Sequence, residues 1–143
     1  MAENKLKHLE FIQNTITRMS TNSFIIKGWL ITLISASFVL SAKDSNNSYI
    51  GVTLFATPIF WFLNGYFLCQ ERRYRSLYNK VRLKKEKNID FSMDASQFNT
   101  GKNTFGSSMF SVSIYPLYII TFVATIIILM ILKIDFKSLI CSH

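Results

Sequence analysis

Three long apolar runs dominate the chain, and polar segments of contrasting character separate them. The runs cover residues 24–42 (FIIKGWLITLISASFVLSA), 49–69 (YIGVTLFATPIFWFLNGYFLC) and 110–132 (FSVSIYPLYIITFVATIIILMIL). They are 19, 21 and 23 residues long, and Lys27 is their only charged residue. About 20 apolar residues in helical form cover a hydrocarbon layer of about 30 Å. The core helix of a soluble domain normally keeps a polar face. The pattern therefore predicts an all-α integral membrane protein with three transmembrane helices.

The flanking segments carry helical periodicity of a different kind. Leu6, Leu9, Ile12, Ile16 and Met19 form a stripe that predicts an amphipathic helix within residues 1–23. The STNS stretch, Ser20 to Ser23, offers N-cap residues and predicts a break before the first span. Tyr74, Leu77, Tyr78 and Val81 recur at the same spacing, so the second span is expected to continue as a helix to about Lys85. The two stripes could dock on each other or lie on lipid headgroups. Their closeness through the hairpin favours docking. Residues 88–109 are rich in Ser, Asn, Thr and Gly and read as an irregular loop. Phe91, Phe98 and Phe105 stand seven apart in it, which predicts that part of the loop packs against the amphipathic helices. The predicted organisation is a helix at 1–23, a transmembrane hairpin at 24–69, a basic helix and loop at 70–109, a third span at 110–132 and a tail at 133–143.

Charge orients this arrangement. The chain of 143 residues is 50% hydrophobic and 17% charged, with a net charge of +8. Residues 70–109 hold nine cations and four acids, whereas the 43–48 loop holds one of each. Short loops rich in Lys and Arg stay in the cytoplasm. The N-terminus and the basic segment are thus expected inside, and the 43–48 loop and the C-terminus outside. The basic run is first of all a stop-transfer anchor. Arg72, Arg73, Arg75, Lys80, Arg82, Lys84 and Lys85 exceed what an anchor needs, and they are candidates for contact with anionic lipid or a protein partner. Lipid is preferred to nucleic acid because it offers the same charge at higher local concentration beside these residues.

Within the runs, small and polar side chains matter most, since lipid competes equally for apolar contact. Gly28, Thr32 and Ala36 stand four apart with Ser35 beside them. This stripe suits close helix approach, within one chain by default or between chains of a homo-oligomer. Asn64 needs a partner away from lipid, and Thr32, Ser35 or a neighbouring chain would serve. Pro58 is expected to kink the second span, and Lys27 to reach the headgroups. Trp29, Tyr66 and Tyr115 suit interfacial positions, with Trp61 deeper and facing a helix. No run carries the carboxylates of an ion-coupled relay. Cys69 and Cys141 fall on opposite sides in this topology, as do His8 and His143, so neither pair forms one site. Asp90 and Asp94 read as solvated residues or ion-pair partners. HExxH, GxxxxGK[ST], GxSxG and CxxC do not occur. No catalytic constellation, metal site or cofactor is expected.

The stretches LEFIQNTITRMSTNSFIIKGW, GYFLCQERRYRSLYNKVR and IDFSMD resemble a pattern in small bacterial membrane proteins, over about residues 6–95. Such proteins are similar to membrane effectors and accessory proteins of anti-phage defence. The resemblance implies an inner-membrane protein that perturbs the bilayer when a cytosolic sensor signals to it. It supplies no catalytic residues. A passive adaptor for a cytosolic partner and a toxin-immunity protein remain as alternatives.

Overall fold

A computed structural model describes the backbone of residues 3–44 and 48–140 and the side chains of residues 3–43 and 48–131. All regular structure among them is helical. Helix α1 spans Glu3–Asp44 and α2 spans Ser48–Leu83. Three single 3₁₀ turns follow, at Glu86–Asn88, Ser96–Phe98 and Gly101–Asn103, then the short α3, Phe105–Met109, and the long α4, Tyr115–Ile140. At 1.5 Å per residue, α1 is about 63 Å long and α2 about 54 Å.

The two long helices form an antiparallel hairpin with a heptad seam. On α1, Ile16, Ser23, Leu30 and Ser37 are buried and stand seven apart. On α2, buried Ile50, Thr57 and Asn64 keep the same interval. A seven-residue repeat holds one face of each helix against its partner. That seam explains why the STNS stretch does not cap a second helix. The amphipathic stripe and the span are in phase, so one unbroken helix buries both. Ser23 lies inside it and donates its hydroxyl to Asn64. Thr15, Thr32 and Ser37 instead return their hydroxyls to the carbonyl four residues back, Thr15 to Phe11 at 3.1 Å.

The charged half of the hairpin is an ordinary hydrophobic core. Ile12, Ile16, Leu77, Val81 and Ala95 are buried together, with Leu9, Tyr74, Tyr78 and Phe98 against them. The two stripes dock on each other, although Leu6 remains exposed. The apolar half is different. Two helices, α1 and α2, contain apolar windows long enough to cross a membrane, and only 17% and 28% of those windows is buried. Phe24, Trp29, Val39, Phe55 and Ile120 all face outward. A soluble protein rarely exposes so large an apolar surface.

Helix α2 passes through Pro58 without ending. Helix α4 begins at Tyr115, five residues later than the apolar run, because residues 110–114 form turns closed by the Ile114 amide on the Ser111 carbonyl at 2.8 Å. Pro116 then occupies the first turn of α4, where a missing amide costs nothing. Residues 133–140, expected as tail, continue this helix. Cys141 and His143 lie outside the described residues.

α3 seats closely on α2. A Cβ at Gly65 would fall 2.5 Å from Met109 Cγ, whereas one at Gly28 would meet nothing within 4 Å. Gly65→Leu is expected to unseat α3 and lower stability by about 1–3 kcal/mol. Gly28→Leu should leave the stability of the single chain close to wild type. Thermal unfolding of the two variants in detergent checks the contrast, and equal losses would contradict it.

Candidate functional site: a polar lock and a cationic collar

One polar junction ties all three long helices together. Asn64 of α2 is fully buried. Its Oδ1 accepts from Ser23 of α1, and its Nδ2 donates to the Tyr118 hydroxyl of α4 at 3.1 Å. The partners are therefore Ser23 and Tyr118 rather than Thr32 or Ser35. Both ends of the amide are used within the chain, so Asn64 is structural glue. Leu30, Ile114 and Tyr118 pack around the lock with Ile34, Phe60 and Trp61. Trp61 lies parallel to the Tyr118 ring at 6.4 Å, meets Phe110 edge-on at 5.6 Å, and donates its indole N–H to the Met109 carbonyl at 2.9 Å. Higher up, the seam continues as Thr53 and Thr125, whose hydroxyls are 3.4 Å apart.

The cationic side chains of α2 hold the 84–114 segment against the helix. Arg72 donates to the Lys102 carbonyl and to the Ser111 hydroxyl, each at 2.8 Å. Arg73 donates to the Asn103 carbonyl at 3.2 Å and to the Asn99 side chain. Lys80 donates to Gln97 Oε1 at 2.6 Å and stands 5.6 Å from the Phe98 ring centre. Lys84 pairs with Asp90 at 3.1 Å, and Arg75 with Glu71 at 2.8 Å. Arg82 and Lys85 point to solvent. Much of the basic charge is thus committed to folding the loop. Lys27 of α1 joins the same collar by donating to the Ser113 carbonyl at 3.2 Å.

Buried groups complete the collar. The Cys69 thiol is free and donates to the Asn103 carbonyl at 3.0 Å. His8 is wholly buried, with Nε2 3.0 Å from the Ser92 carbonyl and its ring 5.4 Å from that of Phe91. A carbonyl only accepts, so Nε2 carries the proton in this contact. Phe91 adopts φ +53°, a left-handed conformation that bulky residues seldom hold. The sequence-expected aromatics all find partners: Phe98 in the charged-half core, Phe91 on His8, and Phe105 on Phe62 at 4.8 Å.

The small-residue stripe stands apart from all of this. Gly28, Thr32, Ser35 and Ala36 are exposed and face away from α2. Thr32 returns its hydroxyl to the Gly28 carbonyl at 3.0 Å. The intramolecular use expected by default does not occur, because the buried seam runs through Ser23, Leu30 and Ser37 instead. Two open grooves adjoin the stripe. One of about 290 Å³ is lined by Ile25, Gly28, Trp29 and Thr32. The other, of about 270 Å³, lies between α1 and α4 and includes Ile31, Ser35, Phe38, Thr121, Ala124 and Ile128. A third, polar-walled cleft of about 250 Å³ opens on the charged half, between Gln13 and Ile16 of α1 and Arg75, Tyr78 and Asn79 of α2.

Among the described residues, no cluster of three or more His, Cys, Asp or Glu could hold a metal ion. The roles of Ser23, Tyr118, His8 and Gly65 were not read from the sequence. The seven-residue interval from Ile16 through Ser23 to Leu30 is the signal that identifies Ser23. No family model, curated protein or solved structure matches the chain.

Two measurements test the lock and the collar. Tyr118→Phe removes one hydroxyl and should cost about 0.6 kcal/mol, a typical interhelical hydrogen bond in a membrane protein. Asn64→Leu strands the Ser23 and Tyr118 hydroxyls and should cost more, about 1–3 kcal/mol. Thermal unfolding in detergent reads both, and a more stable Asn64→Leu variant would refute the lock. For the collar, the Lys84 ammonium and the Ser92 amide hold the Asp90 carboxyl below its ordinary value of 3.8, and Ser96 holds Asp94 below it as well. A depressed carboxylate stabilises above its unfolded value, and the effect is lost as pH falls through the folded one. Amides of residues 90–96 should therefore keep their protection from hydrogen exchange through mild acid, losing it only below 3.8.

Proposed function

We propose that the chain is a three-span protein of the bacterial inner membrane, with its N-terminus in the cytoplasm and its C-terminus in the periplasm. It assembles into homo-oligomers and perturbs or permeabilises the bilayer when a signal reaches its cytoplasmic collar. The observation that carries this reading is the outward-facing stripe of Gly28, Thr32, Ser35 and Ala36. Inside a membrane such a stripe lets two backbones approach closely. The molecule's own helices do not use it, so another copy is the natural occupant. The charge excess in 70–109 and the apolar run of α4 support the topology. The resemblance of residues 6–95 to defence-associated membrane proteins supports an effector or accessory role.

Any permeation path belongs to the assembly. Three helices around a sealed Asn64 leave no wet interior, so conduction requires several copies. Asn64 contributes by keeping each subunit rigid.

The polar-walled cleft at Gln13, Arg75, Tyr78 and Asn79 favours a second reading, that of an adaptor. In that case a cytosolic protein docks on the collar, and the membrane half serves as an anchor. The toxin-immunity alternative has no comparable feature in its favour.

Gly28→Leu and Ala36→Leu add bulk to the stripe without touching the seam. Both variants are expected to insert normally, to shift from oligomer to monomer in native-like lipid, and to lose dye entry in expressing cells in parallel. A wild-type protein that is strictly monomeric in lipid would reject permeation and promote the adaptor. Topology is read independently by cysteine labelling, with Asn4→Cys and Gln97→Cys expected to react from the inside and Asn46→Cys from the outside.

A further inference from the structure

The turn before α4 combines apolar exposure with cations that lack acidic partners. Its side chains alternate. Phe110 and Val112 are 67% and 81% exposed, whereas Ile114 is 1% exposed and packs on Leu30 and Tyr118. Ser111 and Ser113, between them, meet two cations from different helices. Arg72 donates to the Ser111 hydroxyl at 2.8 Å, and Lys27 to the Ser113 carbonyl at 3.2 Å. Every hydrogen-bond acceptor that these two cations meet is neutral: Lys102 carbonyl, Ser111 hydroxyl and Ser113 carbonyl. Among the described residues neither has a carboxylate partner, since the nearby Glu71 is taken by Arg75. Two uncompensated positive charges therefore flank a turn that pushes two apolar side chains outward.

We propose that Lys27, Arg72 and the turn at 110–114 form a binding site for an anionic phospholipid of the cytoplasmic leaflet. The headgroup phosphate sits between the two cations and accepts from their free N–H groups. Phe110 and Val112 enter the acyl layer beside it. Charge complementarity selects the occupant. A zwitterionic headgroup brings its own cation to the phosphate, whereas phosphatidylglycerol offers a net negative charge. Free phosphate would satisfy the cations but would leave Phe110 and Val112 in water. The inference rests on the membrane reading above, in which the turn lies at headgroup level. It deepens that reading by naming the lipid and the place where it binds.

The test uses the full chain in phosphatidylcholine nanodiscs with and without phosphatidylglycerol. Native mass spectrometry counts retained lipid, and a Phe110→Trp reporter is read by quenching from brominated-chain phosphatidylglycerol. Wild type should retain phosphatidylglycerol in preference to phosphatidylcholine. Lys27→Gln and Arg72→Gln should each reduce that preference about fivefold, and the double variant should reduce it about 25-fold. Arg72→Lys keeps the charge and should keep most of the preference. Lys87→Gln, exposed beyond the end of α2, should leave it unchanged. Equal retention by wild type and the double variant would overturn the proposal. Equal loss in Arg72→Lys and Arg72→Gln would also overturn it, because loop unseating would then be the cause. Displacement of the lipid by inorganic phosphate would reassign the site to a soluble anion. Insertion is scored separately by protection of the apolar halves of α1 and α2. A chain that fails to insert defeats the membrane reading, whereas an inserted chain without lipid preference defeats only this inference.

Discussion

Hydrocarbon gives one apolar helix no reason to prefer another helix over a lipid chain. An apolar helix that must keep a fixed neighbour needs polar groups with nowhere else to go. Here that requirement falls on the Asn64 side chain, which reaches Ser23 on one side and Tyr118 on the other. Remove it, and α4 keeps on α2 the longer Thr53–Thr125 hydroxyl contact at 3.4 Å, beside apolar contacts that lipid could replace. The heptad interval of Ser23, Leu30 and Ser37 follows from the same constraint. Small and polar residues sit in a seam where a soluble coiled coil would place Leu.

The charged half of the hairpin obeys the opposite rule. Its outer faces are polar and charged, and Ile12, Ile16, Leu77 and Val81 associate by burial, as in a water-soluble core. Its loop adds Ala95, Ile89, Met93 and Phe98 to that core and is held further by Arg72, Arg73, Lys80 and Lys84. The two halves therefore respond differently to their surroundings. High salt weakens part of the collar and leaves the polar lock alone. Detergent challenges the lock and leaves the charged-half core intact.

Much of this was legible in the sequence wherever periodicity carried the signal. The stripes at Leu9, Ile12 and Ile16 and at Tyr74, Leu77 and Val81 announced two faces that needed each other. Phe91, Phe98 and Phe105 announced a loop that packs. The break expected at Ser20–Ser23 shows where the reading stopped. Local capping chemistry pointed to a helix start, but the register shared by the flanking segments outweighed it. The small-residue stripe misled for a similar reason. Gly28, Thr32 and Ala36 are suited to close approach, but suitability does not say whose helix approaches. Asn64 was recognised as a residue in need of partners. Naming Tyr118 required knowing where α4 crosses α2, which no local pattern encodes. The cations of α2 posed the same difficulty, because a charge that staples a loop and a charge that faces lipid look alike along the chain.

Because α1 is a single helix, the collar and the apolar half share one stiff rod. No glycine pair or proline interrupts it between Glu3 and Asp44. A rod of this kind converts rotation into displacement: a tilt of ~10° about a point ~30 Å from one end moves that end by ~5 Å. Whatever leans on the charged tip therefore has leverage over the far end, without any side chain having to relay the push. A hinge at Ser20–Ser23 would have absorbed that motion locally, and the unbroken helix delivers it.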